Sequence, residues 1–242
     1  MPWGTGDASM SILVLTATEF AVPAALEVLW MADLPESRRD ALARWPDARA
    51  RHQSLIGSRL LGRGLRRMGY RGDVLTSLRH PPCSRPTLDL GVDFSVSHCE
   101  GQVLCAVSTS GSVGVDVEAI GSLLAADFPL YLSADERAWA GGDARRFYSV
   151  WTRKEAVVKA AGSLGLAAMA RVDTRAGMPD AEFAGRSWHI VEIPVGARHL
   201  AHLAIAGDDG LPVLVAVEHV TQESLKDAVG GLETDADTVS VR

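Results

Sequence analysis

Seven short apolar runs of strand length set the first limit on this chain: Ile12 to Leu15, Phe94 to His98, Val103 to Val107, Val113 to Glu118, Trp188 to Ile193, Leu200 to Ile205 and Val213 to Val217. Segments with helical character lie between them, at 23–32, 53–68, 133–140 and 144–161. Strands interleaved with helices exclude an all-helical bundle and an all-β sandwich, and predict an α+β chain. Thr109-Ser110-Gly111-Ser112 reads as a linker, and a second strand–helix series follows it. Two similar halves are therefore expected, 11–108 and 113–220, although no sequence repeat accompanies them. The ends, 1–10 and 223–242, are polar and Gly-containing, and are expected to be flexible.

Local signals sharpen several boundaries. Gln53 to Met68 carries Leu61, Leu65 and Met68 at helical spacing, while Gly57, Gly62 and Gly64 weaken it as an isolated helix. Pro46 breaks the Arg- and Ala-rich stretch before it, and three prolines make 80–86 irregular. Ser133 and Glu136 form a capping box that opens a helix through Ala140. Gly162 ends the long helix at 144–161.

Charge is uneven. Net charge is −6, yet from Glu36 to Arg85 twelve arginines face four acidic residues. A basic stretch inside an acidic chain suggests a local anion site more than a nucleic-acid footprint, though a solvated helix face would look the same. The three cysteines, Cys83, Cys99 and Cys105, are odd in number and match no zinc spacing. Cys99 and Cys105 read as small buried hydrophobes. Ile12 to Leu15 is too short to span a bilayer, and no basic residue precedes it as in a signal peptide, so a cytoplasmic protein is expected.

Three segments carry chemistry. In Val115-Asp116-Val117-Glu118, positions i and i+2 share a strand face, so two carboxylates project together. Such a pair repels unless solvent or a cation intervenes, and its hard oxygens suit Mg²⁺. An acidic surface strand would have the same pattern. On a helix, Trp151, Lys154, Glu155, Val158 and Lys159 form one face that mixes aromatic and charged groups. An ordinary Glu155–Lys159 surface pair explains part of that face. Yet the chain has 21 arginines and only three lysines, two of them here, which suggests a demand for a compact ammonium. In Phe94-Ser95-Val96-Ser97-His98, Ser95 and Ser97 alternate to one side, and His98 ends the strand. A lone His there is compatible with either a structural or a phosphate-binding role.

In this order and spacing, Gly114-Val115-Asp116-Val117-Glu118, Trp151-Thr152-Arg153-Lys154-Glu155-Ala156-Val157-Val158-Lys159 and Ser97-His98 resemble the Sfp-type 4′-phosphopantetheinyl transferases. The close matches run over about residues 94–162. The resemblance implies two pseudo-twofold-related α/β halves with the active site in the cleft between them. It implies Mg²⁺-dependent transfer of phosphopantetheine from coenzyme A to a serine of an apo acyl or peptidyl carrier protein, with adenosine 3′,5′-bisphosphate released. Asp116, Glu118 and Glu155 would hold Mg²⁺; from the side chains' own chemistry Glu155 is a candidate general base, or a metal ligand only, and Lys159 a candidate acid for the leaving group. Lys154 and Lys159 would face the phosphates, and Ser97 and His98 the nucleotide end. Arg38, Arg39, Arg51, Arg85 and Ser54 are the candidates for the 3′-phosphate. Many relatives have Asn where this chain has Ser95. Carriers of fatty acid, polyketide or nonribosomal peptide synthesis all fit. A site built within one chain favours a monomer, and neither nucleic acid nor membrane is expected as a partner. The alternatives are a Mg²⁺-dependent nucleotide phosphohydrolase, or a non-catalytic protein that binds coenzyme A or a carrier.

Overall fold

The computed structural model describes residues 10–81, 84–109, 111–174, 177–206, 213–227 and 238–241. The first half runs β1 (Met10–Thr18), α1 (Ala24–Ala32), α2 (Glu36–Ala43), α3 (Ala48–Arg67), β2 (Asp93–Cys99) and β3 (Gln102–Ser108). The second runs β4 (Val113–Ala119), α4 (Ala134–Ala140), α5 (Ala144–Ala160), α6 (Leu166–Met169), β5 (Asp180–Phe183), β6 (Arg186–Glu192) and β7 (His199–Ala206). β8 (Val213–His219), α7 (Gln222–Asp227) and β9 (Thr238–Val241) complete the chain. This is the expected α+β fold.

The halves repeat one topology. Each has a strand, a long helix and then an antiparallel hairpin whose last strand returns beside the first. β3 pairs antiparallel with β1, and β7 pairs antiparallel with β4. The sheets read β2-β3-β1-β8-β9 and β4-β7-β6-β5. The halves are not contiguous in sequence, which corrects the expected 113–220 boundary. β8 lies in the first sheet, parallel to β1. The reason is its alternation: Val215 and Val217 join Ile12 and Val14 in the core between the sheets, while Ala216 turns to the core under α3. The expectation for 223–242 is also corrected over its described parts. α7 buries Leu225, and β9 pairs with β8. Residues 1–9 and Cys83 lie outside the described residues. Among those described, no helix is long and apolar enough to cross a membrane.

The glycines of α3 have a packing reason. A Cβ at Gly57 would stand 2.7 Å from Val96 Cγ1, and one at Gly64 2.9 Å from Leu15 and Val107. They let the helix settle against its sheet, and burial of Leu55, Leu60, Leu61 and Leu65 outweighs the propensity cost. α3 begins at Ala48, earlier than periodicity predicts, because the Asp47 carboxylate caps the Arg49 N–H at 2.8 Å. β5 was not foreseen, since its turn at Ala184-Gly185 lacks the Asn-Gly or Asp-Gly hairpin signal. Cys105 is fully buried and Cys99 partly so, both as free thiols.

Candidate active site

The sheets meet along β2 and β4, and side chains replace a strand ladder there. Asp93, Ser95 and Ser97 alternate to one face of β2 and accept the Val113, Val115 and Val117 N–H groups at 2.9, 3.1 and 3.3 Å. Those donors lie on the edge of β4 away from β7, where no strand can satisfy them. Ser95 thus has a defined contact in this chain. Ser97 has a second one: its hydroxyl donates to Asp116 Oδ1 at 2.8 Å.

Gly114 brings α5 to the same place. A Cβ there would collide with the Ala156 carbonyl and the Ala160 amide. The helix therefore rests on the strand backbone, and Glu155 and Lys159 come beside Asp116. Lys159 Nζ bonds Asp116 Oδ1 at 2.6 Å and Ser97 Oγ at 3.0 Å, with Glu155 Oε2 at 3.9 Å. Trp151, at the head of the helix motif, packs with Phe128 and Phe147 in the core.

Three carboxylates around one ammonium set the electrostatics. Burial, Asp116 and Glu155 push Glu118 up to about 7. Burial and Asp116 also raise Glu155. Burial opposes the charge on Lys159, but Asp116 and Glu155 outweigh it and hold the ammonium above its ordinary range. Among the described residues, no three His, Cys, Asp or Glu side chains converge as a ready-made metal-ligand shell. The donor chemistry nevertheless fits a hard divalent cation. Asp116 is 3% exposed and its Oδ2 is buried without a partner, beside two carboxylates raised by like charge.

The remaining candidates divide. Arg38 and Ser54 come together, with Nη2 2.6 Å from the hydroxyl and the guanidinium over Trp45. His80 stands near enough that burial and Arg38 hold its pKa down at about 4. Partial burial and Lys159 also lower His98, which is exposed at the end of β2. Arg39 turns instead to the Leu34 carbonyl at 2.6 Å, and Arg51 pairs with Glu27 at 2.5 Å.

Two expectations are corrected. Arg85 is not directed at a phosphate. It donates to the carbonyls of Lys159, Phe94 and Val113, and pairs with Asp93 at 3.0 Å, so it clasps the two halves together. Lys154 does not face the cleft either. It is 0% exposed and bonds Glu136 Oε2 at 2.9 Å and the Met169 and Val172 carbonyls. An ammonium has three protons, and all three are used. Sequence reasoning missed Glu136 as its partner. The capping box located Glu136, but nothing in the spacing revealed its second task.

Beyond Glu118 the junction opens into a cavity of about 730 Å³, lined by Phe20, Arg49 and Gly101 from the first half and by Ile120 and His199 from the second.

Comparison with known proteins points the same way. Residues 112–197 match the family model of the 4′-phosphopantetheinyl transferase superfamily. A similar curated protein is the 4′-phosphopantetheinyl transferase gsp of Aneurinibacillus migulanus, 24% identical over 136 residues. That match covers 54% of this chain and 57% of the relative, a little over half of its length. The family match contains Asp116, Glu118, Lys154, Glu155 and Lys159, and begins after Ser97 and His98. The resemblance carried by the motifs thus has a counterpart in the comparisons: residues 112–197, from β4 to the turn after β6, are similar to the 4′-phosphopantetheinyl transferase superfamily.

Proposed function

We propose that this protein transfers the 4′-phosphopantetheine group of coenzyme A to a serine of an apo acyl or peptidyl carrier protein, with Mg²⁺, and releases adenosine 3′,5′-bisphosphate. One observation carries the reading: Asp116, Glu155, Lys159 and Ser97 meet at the junction of the halves, with Asp116 Oδ2 left without a partner. Asp116, Glu118 and Glu155 would hold Mg²⁺, which when bound would neutralise the pyrophosphate.

The protein's own groups supply the rest. Glu155, raised above an ordinary carboxylate by burial and Asp116, is suited to take the proton of the carrier serine. The serine oxygen bonds to the phosphorus that bears the pantetheine, and the bond from that phosphorus to the bisphosphate oxygen breaks. Lys159 stays charged near neutral pH, meets the charge that develops on the leaving group, and can give it a proton. Arg38 with Ser54, and His98, are the groups offered to the 3′-phosphate end. Transfer of this kind needs positioning and charge neutralisation more than covalent catalysis. Both halves build the site, so we take a single chain as the working unit and the cytoplasm as its compartment.

The test is incubation with coenzyme A, Mg²⁺ and a panel of apo carriers from fatty acid, polyketide and nonribosomal peptide synthases. The expected result is a mass gain of one phosphopantetheine, abolished by EDTA. Failure with every carrier would sink the proposal, and nucleotide cleavage without a carrier would replace it with a phosphohydrolase.

A further inference from the structure

α5 is held on two sides. Toward β4 it rests on the backbone at Gly114. On that same sheet side Thr152 Oγ1 bonds His202 Nδ1 of β7 at 2.7 Å, while away from it Arg153 donates to the carbonyls of Thr174 and Met178, and Lys154 pairs with Glu136. The last contact is the centre of a buried polar network. Glu136 is 1% exposed. Its Oε2 takes the Lys154 ammonium at 2.9 Å and the Ser133 N–H at 2.8 Å. Its Oε1 takes the Thr174 hydroxyl at 2.8 Å and the Thr174 N–H at 3.2 Å. One carboxylate therefore joins the start of α4, the middle of α5 and the segment after α6.

We infer that Glu136 and Lys154 are positioning residues for the transfer: their buried ion pair fixes the setting of α5, and so the places of Glu155 and Lys159 opposite Asp116. The inference rests on the transferase reading. Lys154 precedes Glu155 by one residue, yet its side chain points into the core while Glu155 stands at the cleft. Any rotation of α5 that freed Lys154 would also turn Glu155 and Lys159 away from Asp116. A buried pair is costly to break at one end, because the remaining charge has no partner, and far less costly to neutralise at both ends. Gln at position 136 has one acceptor oxygen, which keeps the cap on the Ser133 N–H, and its amide NH₂ can then donate to the Thr174 hydroxyl, at the loss of the acceptor of the Thr174 N–H.

The experiment compares the wild type with Lys154→Met, Glu136→Gln and the double variant, at a temperature where each is folded. Each single variant is expected to lower kcat at least tenfold with little change in KM for coenzyme A. The double variant is expected to return to within about threefold of wild-type kcat. A double variant as slow as Lys154→Met, with a raised KM for coenzyme A, would show Lys154 acting on the phosphates and overturn the inference. Single variants that melt earlier but turn over normally would overturn it too, leaving the pair merely structural. If the single variants do not fold, the double variant and Thr174→Val decide. Thr174→Val removes one hydrogen bond to Glu136 and is expected to lower kcat two- to threefold at unchanged KM; unchanged kcat would count against the inference. If the wild type itself modifies no carrier, the transferase reading is what has failed. The pair is then read from Mn²⁺ binding to the free protein, weakened at least fivefold in each single variant and recovered in the double. Equal binding in all four proteins would overturn the inference.

Discussion

In the first half the glycines that permit close packing lie on the helix: Gly57 and Gly64 of α3 rest against Val96, Leu15 and Val107 of the sheet. In the second half the glycine lies on the strand, and Gly114 of β4 meets the backbone of α5. The same strand–helix–hairpin plan thus yields two kinds of seat. α3 lies on side chains that can shift. α5 lies on main chain, which cannot. The charged groups differ in the same way. The arginines of the first half are largely spent on partners within it: Arg51 on Glu27, Arg59 on Asp33, and Arg63 on Glu218 of the returning strand. In the second half Asp116, Glu118 and Glu155 exceed the single ammonium of Lys159, and the imbalance faces the junction. A rigid seat and an unbalanced charge set together distinguish the half in which the proposed chemistry is placed.

Gly114→Ala probes this contrast most severely. Its Cβ has no room against the Ala156 carbonyl, so the helix must lift, and a loss above ~3 kcal/mol or failure to fold is expected in urea denaturation. Gly57→Ala meets only a valine methyl and is expected to cost about 1–2 kcal/mol. Equal losses at the two sites would erase the distinction between the seats. Glu155→Gln is next. It keeps the shape of the site and removes a charge, so transfer is expected to fall roughly 100-fold, about 2.7 kcal/mol of barrier, with the melting temperature held or raised as carboxylate repulsion is relieved. A fully active Glu155→Gln protein would remove Glu155 from the mechanism.

A pH effect comes third. Burial, with Arg153 and Arg145, holds His202 down at about 3, below the ~6.5 of an unfolded chain. Between those values the unfolded state binds the extra proton, so stability falls as pH drops below 6.5 and continues to fall toward 3. From pH 7.5 to pH 5 this group alone should cost about 2 kcal/mol. Urea unfolding at the two pH values, compared with His202→Asn, isolates it, and the variant should show the smaller drop. Identical pH dependence would mean that His202 is not the responsible group. Ser95→Ala is the smallest change. It leaves the Val115 N–H without its acceptor and should cost about 1 kcal/mol by the same measurement. No loss would mean that the edge of β4 does not depend on side chains from β2.

Much of the molecule was legible before the structure. The seven strand-length runs appear as strands, the capping box at Ser133 opens α4, and Gly162 follows α5 with φ of +68°. The three carboxylates and Lys159 were legible because strand and helix periods fix which side chains share a face. Lys154 misled the same reasoning. At i, i+3 and i+4 spacing it belongs to the face of Trp151 and Glu155, but a long side chain can turn from that face toward a buried partner. Arg85 misled it otherwise, since a guanidinium near an anion site and one that clasps backbone carbonyls have the same letter in a sequence. The Asp93, Ser95 and Ser97 ladder was half visible: alternation put these side chains on one side of β2, and only the neighbouring edge of β4 gave them a purpose.

By itself the sequence determined the types of most elements, the short-range caps and the side chains proposed as metal ligands, base and acid, because those follow from periodicity and side-chain chemistry within one element. Tertiary structure alone decided which lysine reaches the cleft, that β8 returns to the first sheet, and that Gly114 sets α5 against β4. Those outcomes depend on partners far away in the chain, such as Glu136 for Lys154, Ile12 and Val14 for β8, and Ala156 for Gly114, and no local pattern encodes a partner that only folding brings near.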